Sequence, residues 1–283
     1  MPVDLSIVGK KLGSFTRHYT WKDVVLYALG VGATYDELDY CYEKRLKVIP
    51  SFAVTAIDYG VNLVGSDSDG QSDVILHGEH DLFLHKPIAP EGGMFRTESR
   101  VSHVFDKGRG RGALIVMEMS SYDQSGAKLF TNIMTGFAPK GGGFGGPNAP
   151  TESFNFPDRP PDYEEAAVPS TNQPLLYRLS GDAMPLHVDP EFAKAAGFEG
   201  SIMHGLCTYG YACRAIVKHL LPGEPERLGR LRVRFSRPLY PGDPIKTLIW
   251  KTGEGTACFR VVNCKTGEVV LDRGIADWGR GES

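Results

Sequence analysis

Two short stretches of this chain recur in the same order on either side of a glycine- and proline-rich interruption, and a chain that repeats itself in this way is built from two like units. Leu84-His85-Lys86-Pro87-Ile88-Ala89-Pro90-Glu91-Gly92 is echoed by Phe235-Ser236-Arg237-Pro238-Leu239-Tyr240-Pro241-Gly242. Gln124-Ser125-Gly126-Ala127-Lys128-Leu129 is echoed by Lys265-Thr266-Gly267-Glu268-Val269-Val270. Each member of the second pair is a turn signal between two strand-like runs, and two echoes in the same order suggest duplication. Residues 139–174 separate the copies and are dominated by Gly, Pro, Ser, Asn and acids, including Gly141-Gly142-Gly143-Phe144-Gly145-Gly146 and Arg159-Pro160-Pro161. That stretch has too few periodic apolar residues to form an element and is read as a linker. The expected organisation is a first half over residues 1–138, the linker over 139–174 and a second half over 175–283.

Within the second half Leu231, Val233 and Phe235 alternate with Arg232 and Arg234, the period of a half-buried strand. Residues 245–250, 257–262 and 269–271 follow at hairpin spacing, and the first half offers 82–84, 113–119 and 129–134. One helix is clear: Met203, Leu206, Gly210, Cys213, Val217 and Leu220 recur every three or four residues until Pro222-Gly223. A long apolar-striped helix against antiparallel strands is an α+β arrangement. Taken twice, it predicts two antiparallel sheets side by side, each wrapping a helix, with the long helix better kept in the second half. The run Val24-Val25-Leu26-Tyr27-Ala28-Leu29 predicts a further buried helix, being far shorter than a bilayer span of ~20 residues.

The bulk properties exclude several classes. A formal net charge of -3 gives no general attraction to nucleic acid or to an anionic membrane, so an anionic ligand needs a local basic patch. The five cysteines contain no C-x-x-C and cannot all pair, which favours a reducing compartment and no structural zinc. Without a basic leader or a cleavage site, and with Gly281-Glu282-Ser283 in place of a Ser-Lys-Leu address, the expected location is cytoplasmic. The glycine-rich stretch near Phe144 is no phosphate loop, because no Gly-Lys-Ser/Thr follows it.

Chemistry concentrates in Tyr177-Arg178-Leu179-Ser180-Gly181-Asp182-Ala183-Met184-Pro185-Leu186-His187-Val188-Asp189-Pro190. Pro185 interrupts any regular helix, so Asp182 and His187 fall on a loop that can curl both side chains to one point. Asp189 suits an N-cap with Pro190 first in a short helix over 191–196, and Gly197 suits its end. A carboxylate and an imidazole converging on one water can remove its proton and return a proton to carbon. The same residue types also suit an aspartate that caps a turn and a histidine satisfied within a loop, and geometry decides between the two.

This segment, with Phe192-Ala193 and Ile202-Met203-His204-Gly205-Leu206-Cys207, resembles the hydratase 2 signature of the MaoC-like family, in particular the hydratase 2 part of the type 2 multifunctional enzymes. Leu76-His77-Gly78-Glu79, Lys86-Pro87, Asp106-Lys107-Gly108, Gly143-Phe144-Gly145-Gly146 and Pro238-Leu239-Tyr240-Pro241-Gly242 look like further landmarks in order, so nearly the whole chain is covered. The resemblance implies a double hot-dog fold whose first half has lost its catalytic motif and receives the acyl chain. It also implies hydration of trans-2-enoyl-CoA to (3R)-hydroxyacyl-CoA by a homodimer, with no metal or cofactor, an acyl-CoA thioester as substrate and no nucleic-acid partner. By the same resemblance Asp182 and His187 are the acid-base pair and the Gly205 N–H is the donor to the thioester oxygen. That last role suits a helix start, where unpaired N–H groups meet developing negative charge. His77, Gly78, Lys107, Ala183, Met184, Pro185, Leu186 and Phe235 would line the ligand, with Lys107 as phosphate partner unless it is a solvated turn lysine.

One position departs from the pattern: the family usually has Asn two residues after the aspartate, and this chain has Met184. A thioether cannot hold a water or a carboxylate as an amide does. Two other readings therefore stand beside hydration: an acyl-CoA-binding module without turnover or with altered specificity, and a thioesterase on the same fold.

Overall fold

The computed structural model describes residues 3, 5–57 and 75–279. Five strands come from the first half: β1 (Lys11–Thr20), β2 (Leu76–Leu84), β3 (Gly92–Asp106), β4 (Ala113–Tyr122) and β5 (Lys128–Ala138). Five come from later in the chain: β6 (Tyr163–Ala167), β7 (Leu228–Phe235), β8 (Ile245–Gly253), β9 (Thr256–Asn263) and β10 (Val269–Trp278). Their spatial order is β1-β3-β4-β5-β2-β7-β10-β9-β8-β6, all antiparallel. Counted outward from the β2–β7 seam, both halves run second, fifth, fourth, third, first. The duplication heard in the sequence is thus a duplication of topology, and the two side-by-side sheets join edge to edge into one ten-stranded sheet.

The echoes fall at equivalent places. The Lys86-Pro87 and Arg237-Pro238 segments leave β2 and β7, the two seam strands, and the second pair forms the β4–β5 and β9–β10 turns. In those turns the Asp123 and Asn263 side-chain oxygens each accept backbone N–H groups two residues on, and Gly126 and Gly267 take the left-handed conformation (φ 82° and 75°). At the seam Arg230 grips the Asp81 carboxylate through two bonds of 2.9 and 2.8 Å, while Arg232 and Arg234 both pair with Glu79. The polar positions of the alternating β7 pattern are the glue between halves.

Residues 139–174 differ from the expectation that they form no element. They supply β6, which pairs with β8 at the sheet edge. Its five residues, Tyr163-Glu164-Glu165-Ala166-Ala167, are too few for a periodic signal, and the strand is held by its ladder together with long-range side-chain contacts such as Glu165 with Lys218 and His219. The glycine-rich part is also fastened: the Asp106 carboxylate accepts the N–H groups of Gly143 and Gly145, both at 2.7 Å. The strands β1 and β3 likewise gave no clear pattern, β1 because most of it is exposed at the other edge.

Helices pack against the sheet, that over Trp21–Gly30 against β1 and that over Gly205–Leu220 against strands of the second half. α1 (Trp21–Gly30) opens with a Thr20–Asp23 capping box and buries Val24, Tyr27 and Ala28, while Leu29 stays exposed; α2 (Leu38–Cys41) is one turn. α3 (Gln173–Tyr177) and α4 (Pro190–Ala195) frame the loop that carries Asp182 and His187. α5 (Gly205–Leu220) is the long helix of the apolar stripe, with Tyr209 fully buried and its hydroxyl donating to the Leu231 carbonyl at 2.8 Å. In the first half the described element under the sheet is a wholly buried 3-10 turn, Pro50–Ala56. None of the five cysteines is paired, and among the described residues no helix is long and apolar enough to cross a membrane.

Candidate active site

The loop between α3 and α4 is built from tight turns, each forced by a residue that resists regular helix. A 3-10 turn, Arg178–Ser180, ends at Gly181, whose φ of 138° leaves no place for a side chain. Met184 donates its backbone N–H to the Asp182 carboxylate (3.2 Å), and Pro185 then starts a second 3-10 turn ending at His187. Downstream, Asp189 caps α4 as its sequence predicts, accepting from Glu191 and Phe192 N–H groups at 2.9 and 3.2 Å. Asp182 is thus oriented by main chain, so the methionine at 184 costs the carboxylate nothing in that respect; its own side chain faces outward.

His187 is buried, and its Nδ1 lies 2.9 Å from the Ile202 carbonyl. A carbonyl only accepts, so Nδ1 carries the hydrogen and Nε2 keeps its lone pair. Burial lowers the His187 pKa, opposed by the Ile202 carbonyl and by the Asp182 charge. His204, immediately before α5, stacks on His187 with ring centroids 3.7 Å apart. A carboxylate oxygen of Asp182 and one ring nitrogen each of His187 and His204 all lie within 4.8 Å of one another, the only such group of three potential metal ligands among the described residues. The carboxylate and imidazole picked out in the sequence do meet at one point.

Gly205 begins α5, so its N–H is a first-turn donor without an intrahelical acceptor. Its φ is unremarkable for any residue, but a Cβ there would come within 2.9 Å of the Phe235 ring carbons. Phe235 in turn lies 4.7 Å from the His77 ring. Gly78 follows on β2, close under Thr135, where a Cβ would meet the carbonyl at 3.2 Å. Lys107 sits over the Phe137 ring at 5.1 Å, and Phe137 pairs with Leu76 beside His77. Gly205, Phe235 and His77 therefore adjoin one another in series, with Gly78 next to His77 on β2 and Lys107 over the neighbouring Phe137. Ala183, Met184 and Pro185 are exposed on the loop, whereas Leu186 turns into a small apolar cluster with Ala193 and Ile202. An apolar cleft of about 230 Å³ bounded by Leu46, Leu84, Ile88 and Leu228 opens at the other ends of β2 and β7 and does not contain the pair.

Two residues of the site carried no sequence signal. Arg17 on β1 reaches across the halves to donate through Nη1 to the carbonyls of Ser180 and Thr55, both at 2.8 Å, and its guanidinium occupies the space a Gly181 side chain would need. Gln173 donates to the Leu29 and Gly30 carbonyls at 2.9 and 2.6 Å, tying α3 to the end of α1. Both act on backbone carbonyls far away in the chain, which no local pattern records. Arg17→Met should lower the unfolding free energy by about 2 kcal/mol, the worth of charge-assisted bonds to partly buried carbonyls, as read from urea melts. A melt indistinguishable from the parent would show that the tie is incidental.

Comparison with known proteins places these features in context. The family described as MaoC like domain matches residues 152–273, and that described as MFE-2 hydratase 2 N-terminal domain matches residues 17–139. The chain is 37% identical to a Dictyostelium discoideum protein named probable enoyl-CoA hydratase 2, over 98% of this chain and 97% of that one. It is 38% identical to mouse peroxisomal multifunctional enzyme type 2, over 95% of this chain but 38% of the longer enzyme. Among solved structures, a MaoC-like dehydratase from Phytophthora capsici superposes with a TM-score of 0.86 at 30% identity, covering 98% of each chain. A Mycobacterium tuberculosis protein described as a double hotdog fold superposes at 0.59 with 14% identity, a likeness of fold alone.

Proposed function

This chain belongs to the MaoC-like family in its hydratase 2 form, a double hot-dog, and from that premise we propose that it is a hydro-lyase adding water reversibly to trans-2-enoyl-CoA to give (3R)-hydroxyacyl-CoA. The observation that carries the reading is the meeting of the Asp182 carboxylate with the His187 imidazole, beside the N-terminus of α5. His187, with its hydrogen on Nδ1, offers Nε2 to the water. As the water oxygen bonds to C3, its proton passes to Nε2, and Asp182 accepts the other water hydrogen and offsets the imidazolium charge. The π electrons move toward C2 and the thioester oxygen, where the Gly205 N–H and the helix dipole receive the negative charge. Delivery of the imidazolium proton to C2 completes the addition of one water and restores His187. Both new bonds form on the face that meets the loop, which is the basis for a single product hand.

The remaining assignments follow from the same premise. His77, Gly78 and Phe235 wall the thioester end, Lys107 pairs with a CoA phosphate, and the exposed Ala183-Met184-Pro185 edge borders the acyl group. The half over 1–138 receives the chain and the half over 175–283 does the chemistry, with 139–174 between them. Every step uses groups of this protein and of the substrate, so the reading calls for no metal or redox group. A homodimer and a cytoplasmic location belong to the proposal, to be read by light scattering and by cell fractionation.

The test is to incubate the protein with crotonyl-CoA and with a longer 2-enoyl-CoA, follow loss of the conjugated thioester absorbance, and resolve the product on a chiral column. Formation of the (3R) alcohol is expected; release of free CoA or an unchanged spectrum would end the assignment. The pH profile adds a second check. The base must be neutral, and burial holds His187 below its ordinary 6.5, so kcat/KM should persist below that pH and fall only as the ring gains its proton. An acid limb above 6.5 would contradict this role.

A further inference from the structure

Neither the proton path nor the thioester contact uses His204, yet this side chain touches both members of the pair. It is 1% exposed, and its ring lies nearly flat on His187, with centroids 3.7 Å apart and planes at 28°. Its ring also meets Tyr177 at a tilt, centroids 4.8 Å apart, and Tyr177 continues the aromatic chain to Tyr27 of α1. His204 Nε2 lies 3.1 Å from the backbone carbonyl of Asp182, so Nε2 carries the hydrogen and donates it.

From this geometry we propose that His204 is the positioning residue of the hydration site, an uncharged plate that fixes the plane of His187 and the main chain of Asp182 together so that both address one water. The inference rests on the function proposed above and deepens it. The two contacts make different demands. A stacking surface alone would be met by phenylalanine, and a donor to the carbonyl alone by glutamine; the imidazole does both at once. Its rigid attachment at the start of α5 also carries the position of Gly205, the next residue, into the same frame.

The electrostatic surroundings agree with a plate that stays neutral. The groups facing His204 are His187, the Asp182 loop, Arg178 and Tyr177. Burial first, then the neighbouring His187, push its pKa down to about 3; the Asp182 carbonyl opposes this, and Arg178 adds a still smaller lowering. Two stacked imidazoles cannot both be charged without strong repulsion. A proton taken from water therefore stays on His187, next to the Asp182 carboxylate, and does not leak to the ring behind it.

Two variants of the full chain separate the contacts. His204→Phe keeps the plate and loses the bond to Asp182; His204→Gln keeps a donor, loses the plate and lets water reach the back of His187. Both should lower kcat by roughly 10-fold or more with KM changed less than about 2-fold, because alignment of the reacting groups is lost rather than binding. Only His204→Gln should move the acid limb of kcat/KM to higher pH, as His187 regains hydration. Ring-nitrogen NMR of His187 gives a reading independent of turnover: the Nδ1–H form and its titration should persist in His204→Phe and shift upward in His204→Gln. Normal kcat per folded molecule with an unmoved limb in both variants, or an unmoved His187 titration in both, would overturn the role even if melting temperatures fell. A parent protein that hydrates no enoyl-CoA would overturn the proposed function instead, leaving the NMR titration to decide the positioning.

Discussion

Asp182→Asn and His187→Ala should each lower kcat for enoyl-CoA hydration by about 10²–10⁴-fold, the range that positioned acid-base groups contribute. The asparagine variant is the sharper test. It is isosteric, and its amide oxygen still accepts the Met184 N–H that holds the loop, so the fold and the melting temperature should stay close to the parent's. What disappears is the negative charge beside His187, which in the proposed mechanism both holds the water and balances the imidazolium. His187→Ala removes the base outright and also strips His204 of its stacking partner, so it should cost some stability as well. Because the proposed mechanism has the two groups act on one water, the double variant should be no more than a few-fold slower than the worse single variant. Stopped-flow absorbance with a melting curve for each protein measures both quantities. Asp182→Asn with half the parent rate would show that the carboxylate only shapes a turn.

Much of the architecture was legible because it is repeated. One echo placed the equivalent β4–β5 and β9–β10 hairpins and the other the equivalent crossings out of the seam strands, and the alternation of Leu231, Val233 and Phe235 with Arg232 and Arg234 marked a strand with one apolar and one charged face. The sequence did not say that the charged face was a seam, because Glu79 and Asp81 lie about 150 residues away and nothing in β7 specifies its partners. β6 escaped notice for a related reason: a strand of only five residues rests on the ladder with β8 and on side-chain partners more than fifty residues away. In the candidate site, Asp182 and His187 stood out on the loop bent by Pro185, and Gly205 entered through the resemblance to the hydratase 2 signature. His204 stood in the same motif but looked like a flanking residue, and Arg17 and Gln173 had no motif at all. Residues that do chemistry leave a local record; residues that hold them by reaching distant carbonyls do not.

Met184 shows how that difference matters for a departure from a family pattern. Judged by side chain, methionine for asparagine removes a hydrogen-bonding group from beside the catalytic carboxylate. Judged by structure, the carboxylate is held by the main chain of the same residue, and the side chain points to solvent. The acidic group keeps its main-chain contact, and under the proposed function the consequence of the substitution shifts from the carboxylate to the exposed edge assigned to the acyl group.

Gly205→Ala should be the second most damaging change, with kcat/KM down by about 10²-fold, and Phe235→Leu in the same chain should restore much of the loss. Glycine is needed here for space and not for backbone freedom, since its φ suits any residue. The new methyl would stand 2.9 Å from two carbons of the Phe235 ring, which is itself backed by His77 at 4.7 Å. The ring or the first turn of α5 must then shift by a few tenths of an ångström or more, and displacement of a reacting group by about 1 Å is worth roughly 10²-fold. Stability should change little, because alanine favours the helix by about 0.5–1 kcal/mol and offsets part of the clash. Loss of activity without loss of fold is therefore the signature, and the shorter leucine at 235 relieves the contact that causes it. Equal activity in the parent and Gly205→Ala, or a double variant no better than the single, would separate the start of α5 from the chemistry of the thioester.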